Sequence, residues 1–126
     1  MLIRRADEMD AQPVAMDGVK GVSMRLMVGR ADGAPTFSMR QFTVEPGGHT
    51  PHHQHNYEHE IYVLSGSGQA EYGGELHPIK AGDVLLIQPN VVHQFTNNGS
   101  EPLNFLCFVP VAFDCGGGEM SPTPGS

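Results

Sequence analysis

Four histidines have the residue type and spacing of a metal-ligand set: His53, His55 and His59 share one short stretch, and His93 lies far downstream. Neutral imidazole is the commonest protein ligand for first-row transition metals. A set split between one local stretch and one distant residue is how a fold closes a coordination shell. The implied cofactor is one divalent transition metal ion, and Mn, Fe, Co, Ni, Cu and Zn are all compatible with imidazole. Four protein ligands on an octahedral ion leave positions for water, an oxygen-donor substrate or dioxygen, which marks a reactive site rather than a closed structural one. His49, His52 and His77 are read as solvated, His52 because it has the wrong strand parity beside His53.

The elements that must position these residues are strands. The chain carries 16 glycines and 10 prolines, and the segments between them are short and rich in Val, Ile, Phe, Tyr and Thr, the pattern of an all-β sandwich or barrel. Strands are predicted at 22–28, 36–44, 52–54, 58–64, 69–72, 75–79, 84–88, 93–96 and 103–109. Turns are predicted at Pro46-Gly47-Gly48, Gly66-Ser67-Gly68, Ala81-Gly82-Asp83 and Asn97-Asn98-Gly99, with a two-residue hairpin at Gly73-Gly74. Side chains alternate faces with period two, so His53 and His55 share a face, and His59 keeps that parity with Ile61 and Val63. His93 likewise shares parity with Val91 and Phe95, whereas Glu58, Glu60 and Tyr62 point the other way. A zinc-protease helix is the competing reading, since His55 and His59 are four apart. It requires Glu directly after the first histidine, where this chain has Asn56, and Pro51 and the run Ile61-Tyr62-Val63-Leu64 oppose it.

Composition excludes other classes. Seven Lys and Arg against 14 Asp and Glu give a formal net charge of −7 with no basic run, so a nucleic-acid groove has no electrostatic support. No stretch is long and apolar enough for a membrane span, and the N-terminal residues lack the apolar core of a signal peptide; a cytoplasmic location is expected. The 126 residues suit one domain, 1–113, followed by a flexible Gly- and Pro-rich tail at 114–126. Two cysteines, Cys107 in an apolar run and Cys115 in the tail, make no disulfide framework, and both are expected to be reduced.

The residues around the histidines also carry a family pattern. In G-x5-H-x-H-x3-E-x6-G, Gly47, His53, His55 and Gly66 fill the glycine and histidine positions, with His59 in place of glutamate. In G-x5-P-x-G-x2-H-x3-N, Gly82, His93 and Asn97 match, with Gln88 for proline and Asn90 for glycine. Asn tolerates the left-handed backbone best among non-glycine residues, so Asn90 can make the same turn, and Pro89 supplies rigidity one position along. With these motifs the chain resembles the small single-domain cupins over residues 37–110, and the His-for-Glu exchange resembles their four-histidine subgroup. Glu60 offers an alternative ligand by a one-residue slip, but that reverses the parity. The resemblance implies a cupin double-stranded β-helix, that is, a jelly-roll β-barrel. It also implies a metal held by His53, His55, His59 and His93, a small-molecule substrate and a homodimer. The apolar stretch Leu26-Met27-Val28 could serve that dimer by covering a neighbour's sheet edge.

Four further residues are pocket candidates. Cys107 and Phe105 share parity on the last predicted strand and read either as core or as pocket wall. Near an oxidising metal, Cys107 would be open to oxidation. Phe95 reads as pocket wall or core. Arg40 interrupts an apolar strand and reads first as an exposed or interface residue, with a substrate-orienting cation as the alternative. Glu60 reads as a hydrogen-bond partner before a catalytic acid.

Three functions are compatible with this set. The first is an oxidoreductase, dioxygenase-like, that activates dioxygen or peroxide at a neutral four-histidine centre. Next comes Lewis-acid isomerase, epimerase or lyase chemistry on a sugar acid or hydroxy-carbonyl compound, ranked lower because the ligand face offers no evident acid or base. A metal-dependent binding module without turnover is third.

Overall fold

The computed structural model describes residues 1–114; Cys115 and the rest of the expected tail, 115–126, lie outside the described residues. Among the described residues nine strands follow in order: β1 (Gln12–Pro13), β2 (Lys20–Val28), β3 (Phe37–His49), β4 (His59–Ser65), β5 (Ser67–Tyr72), β6 (Glu75–Lys80), β7 (Val84–Ile87), β8 (His93–Thr96) and β9 (Leu103–Pro110). The helical segments among the described residues are three short 3-10 turns, none long and apolar enough to cross a membrane.

The sheet order β6-β5-β8-β3-β9-β4-β7 curls into a jelly-roll β-barrel, and β3 is its corner. From Phe37 to Val44, β3 pairs with β9, and at His49 it pairs with β8 instead. Pro46-Gly47-Gly48 lies at the transfer, so the expected turn is a bend inside one long strand. Gly47 takes φ 81°, and the pairing with β2 slips between Val22↔Val44 and Lys20↔His49. A bulge of this kind lets a strand change sheets without ending. Gly48 must lack a side chain there, because a Cβ would lie 2.6 Å from the Lys20 carbonyl oxygen.

The alternation read from the sequence orders the core. In β4, His59, Ile61 and Val63 are buried while Glu60, Tyr62 and Leu64 are exposed; in β8, His93 and Phe95 are buried. Phe42, Phe95 and Phe105 fill the centre, with Phe105 5.5 Å from Phe42 and 5.2 Å from Phe95 between ring centroids. Burial of such rings is the main favourable term holding the barrel shut.

Two expectations need correction. Residues 52–54 form no strand: the segment makes a single bridge, His53↔His93, because Pro51 precedes it and the chain turns at once toward β4. Asp114, assigned to the tail, is buried: its carboxylate accepts hydrogen bonds from the Arg30 amide at 2.7 Å and the Ser38 hydroxyl at 2.8 Å, fastening the end of β9 to the start of β3.

Candidate metal centre

Backbone geometry brings two of the histidines together directly. The His53 amide donates to the His93 carbonyl at 3.2 Å and the His93 amide to the His53 carbonyl at 2.9 Å, so these residues face each other across the barrel mouth. Asn90 takes φ 66°, the left-handed turn expected of it, and its amide donates to the His55 carbonyl at 2.7 Å. The turn before β8 thus holds the His55 backbone in place. His59 opens β4 with its ring turned inward.

The ring orientations decide what these nitrogens can do. His55 Nδ1 lies 3.0 Å from the Tyr57 carbonyl oxygen and His93 Nδ1 2.9 Å from the Val91 carbonyl oxygen. A carbonyl only accepts, so in each neutral ring Nδ1 carries the hydrogen and Nε2 keeps its lone pair. The ligand atoms of His53, His55 and His93 lie within 4.8 Å of one another. His53 Nε2 is buried with no hydrogen-bond partner among the described residues. A buried polar atom without a partner is costly unless something else satisfies it, so convergent lone pairs on neutral rings fit a transition ion. His59 borders this trio: its Nε2 lies 2.8 Å from His55 Nε2, and its Nδ1 lies 3.2 Å from Cys107 Sγ.

Burial keeps His53, His55 and His59 neutral. It pushes His53 and His55 down to about 4, helped in both by the nearby His93. His59, more deeply buried, is held lower still, with Arg40 as the next cause. Desolvation drives Cys107 the other way, raising its thiol above the ordinary range, with Arg40 opposing.

The pocket candidates gather behind the histidines. Arg40 is fully buried, which overturns its reading as an exposed or interface residue. It alternates inward with Ser38, Phe42 and Val44 in β3, its Nη2 donating to Cys107 Sγ at 3.3 Å and its guanidinium lying 5.0 Å from the centre of the Phe42 ring. A cation–π contact offsets part of the cost of such a buried charge. Cys107 is a free, buried thiol between Arg40 and His59. Phe95 lies 6.2 Å from His93 between ring centroids, and Phe105 packs behind it. Glu60 points outward, beside a cavity of about 460 Å³ near Phe37 and Phe108 that none of the histidines lines.

Tyr57 escaped the sequence reading. Its ring stacks on His55 at 4.0 Å and on Phe113 at 4.2 Å, both nearly parallel, so a three-ring column fixes the His55 plane. The signal was available, because Tyr57 has the same odd parity as His53, His55 and His59.

Comparison with known proteins agrees with the fold. Residues 40–109 match the family model described as the cupin domain, more than half of the chain. The protein therefore belongs to the cupin family. It is 35% identical over 74 residues to the 1-methylthio-D-xylulose 5-phosphate methylsulfurylase of Rhodospirillum rubrum, which covers 59% of this chain but 47% of that enzyme. It thus spans about half the length of that relative. Identity to the protein SchB of Streptomyces halstedii is 33% over 99 residues, covering 73% of this chain and 72% of SchB. Among solved structures, the polyketide cyclase RemF of Streptomyces resistomycificus superposes with a TM-score of 0.83 at 31% identity, covering 88% of this chain and 80% of that one.

Proposed function

We propose that this cupin is a metal-dependent enzyme acting on a small, enolisable carbonyl compound, with His53, His55, His59 and His93 as ligands to one divalent transition ion. The observation that carries the metal reading is the convergence of three imidazoles, two of them, His55 and His93, with tautomers set by backbone carbonyls. A bound divalent ion would supply Lewis-acid polarisation of a substrate oxygen.

The chain's own residues favour an anionic oxygen at this place. His53, His55 and His59 are held neutral, and a permanent guanidinium, Arg40, is buried behind them. Burial also removes the water that would screen Arg40, so its field acts at the cluster more strongly than a surface charge would. An enolate formed from a 1,3-dicarbonyl gains from that field, while Phe95 and Phe105 supply an apolar wall. Likeness to a polyketide cyclase over most of the chain supports the same substrate chemistry. Oxidoreductase chemistry on dioxygen or peroxide is the second reading, favoured by the neutral, carboxylate-free ligand set. Arg40 ranks it lower, since a fixed cation disfavours a higher oxidation state. A homodimer and a cytoplasmic location belong to the same reading; the exposed apolar face formed by Tyr62, Val84 and Leu86 supports the dimer, and light scattering checks it.

The test begins with metal analysis of protein purified without chelating resin. The loaded protein is then incubated anaerobically with a panel of 1,3-dicarbonyl compounds in deuterated water. Metal-dependent exchange of the central hydrogens above the His93→Ala background supports the enolising reading. Oxygen consumption with no anaerobic exchange supports the second reading, and neither activity across the panel overturns both.

A further inference from the structure

Five groups form one hydrogen-bonded chain through the site: Arg40 Nη2 to Cys107 Sγ at 3.3 Å, Cys107 Sγ to His59 Nδ1 at 3.2 Å, His59 Nε2 to His55 Nε2 at 2.8 Å, and His55 Nδ1 to the Tyr57 carbonyl at 3.0 Å. Its two ends have fixed polarity. A guanidinium only donates and a carbonyl only accepts. Working inward from Tyr57, His55 carries its hydrogen on Nδ1, so its Nε2 accepts. Two imidazole nitrogens 2.8 Å apart must share a hydrogen, and His59 therefore donates from Nε2. With Nε2 protonated and the ring neutral, His59 Nδ1 is an acceptor and takes the thiol hydrogen of Cys107, whose sulfur in turn accepts from Arg40.

This arrangement separates His59 from its neighbours. His55 and His93 present Nε2 lone pairs in advance, each fixed by a backbone carbonyl that cannot change role. His59 rests on a thiol, which can donate or accept. To become a ligand through Nε2 it must move its hydrogen to Nδ1, and the Cys107 sulfur must then accept from both Arg40 and His59 while its own hydrogen turns away. A thiol hydrogen is a weak donor, so leaving it without an acceptor costs little. A carbonyl in its place would hold His59 permanently as a ligand, and a purely apolar side chain would leave Nδ1–H buried with nothing to accept it.

On the metal reading above, we infer that Cys107 is a positioning residue: a polarity-reversible support that makes His59 a switchable fourth ligand beside His53 and the committed pair His55 and His93. Arg40 anchors the sulfur from behind and holds it at the distance where either polarity works. The outcome is a site with two coordination states, three imidazoles or four, separated by one hydrogen-bond reversal and no change in the fold.

Two measurements test this, one without metal. In the metal-free wild-type protein, nitrogen–proton correlation NMR is expected to find His55 and His93 with hydrogen on Nδ1 and His59 with hydrogen on Nε2. A Nδ1–H tautomer for His59 overturns the inference whatever the protein binds. The second uses Cu²⁺ as the probe, counting coordinated imidazoles by pulsed EPR and measuring affinity in wild type, Cys107→Ser and Cys107→Ala. Four imidazoles are expected in the wild type and in the serine variant, whose hydroxyl also donates or accepts. Three are expected in the alanine variant, with about tenfold weaker binding, the lower end for loss of a ligand's supporting partner. Four imidazoles and unchanged affinity in Cys107→Ala overturn the inference, as does a serine variant that behaves like alanine. Wild-type protein with no imidazole coupling to Cu²⁺ instead overturns the metal reading, and the switchable-ligand inference with it.

Discussion

The neutral cluster predicts how metal affinity responds to acid. The perturbation is a change from pH 7 to pH 5, and the relevant groups are His53 and His55, both pushed down to about 4 by burial. Protons compete with a metal for the same lone pairs, so affinity scales with the fraction of rings that are neutral. For two rings at the ordinary value of about 6.5, the doubly neutral fraction falls from about 60% at pH 7 to about 0.1% at pH 5, a loss of roughly 600-fold. At about 4, each ring is still about 90% neutral at pH 5, and the pair loses only about 1.2-fold. His59 is held lower still and adds nothing to the loss in this range. Titration of metal-free protein with Co²⁺ at the two pH values, with circular dichroism to verify that the fold persists, reads the difference. From these three rings an affinity loss below threefold is expected. A loss beyond about fiftyfold would mean that the rings titrate like solvated histidines and that burial does not govern the site.

The same shifts act on stability: the unfolded chain takes up these protons near 6.5 and the native chain only near 4, so metal-free protein should lose stability as pH falls from about 6.5 to 4, with no further loss from these groups below that, as urea melts would show. Gly66→Ala should cost about 3 kcal/mol in the same assay, because Gly66 sits at φ 82° and a Cβ would clash with the Pro102 carbonyl oxygen. Gly74→Ala, at φ 89° but facing open space, should cost only about 1 kcal/mol, and equal losses would show that the contact is not what matters. Phe105→Ala, which removes a fully buried ring touching Phe42 and Phe95, should cost about 3–5 kcal/mol; a loss under about 1 kcal/mol in chemical denaturation would contradict the packing described.

Much of the barrel was legible because period two is a strong constraint when one face is buried. His59, Ile61 and Val63 turned inward together, and Gly73-Gly74, with φ 58° and 89°, made the hairpin that its composition demands. Asn90 made its left-handed turn for the same local reason. What the sequence concealed depends on tertiary context. Arg40 had inward parity, yet its charge argued for solvent, and only the Phe42 ring and the Cys107 sulfur explain how the barrel accommodates it. Pro46-Gly47-Gly48 has the composition of a loop, and whether such a segment ends a strand or bends it is decided by partners on two different sheets. Asp114 looked like the start of a polar tail, because its partners Arg30 and Ser38 are remote in sequence. The trio of His53, His55 and His93 follows from the motif spacing, while the distinct footing of His59 follows from Cys107, whose role no spacing rule encodes.

The paired backbone hydrogen bonds between His53 and His93 also set a time scale. Rings on flexible side chains can part by rotamer hops in nanoseconds, but these two residues are tied through their main chains. Separating them requires both bonds to break and the segment before β4 to lift away from β8, a local unfolding event of microseconds or longer. The mouth of this barrel is therefore slow where it matters most, and any exchange that needs these two positions to separate runs at the pace of the backbone.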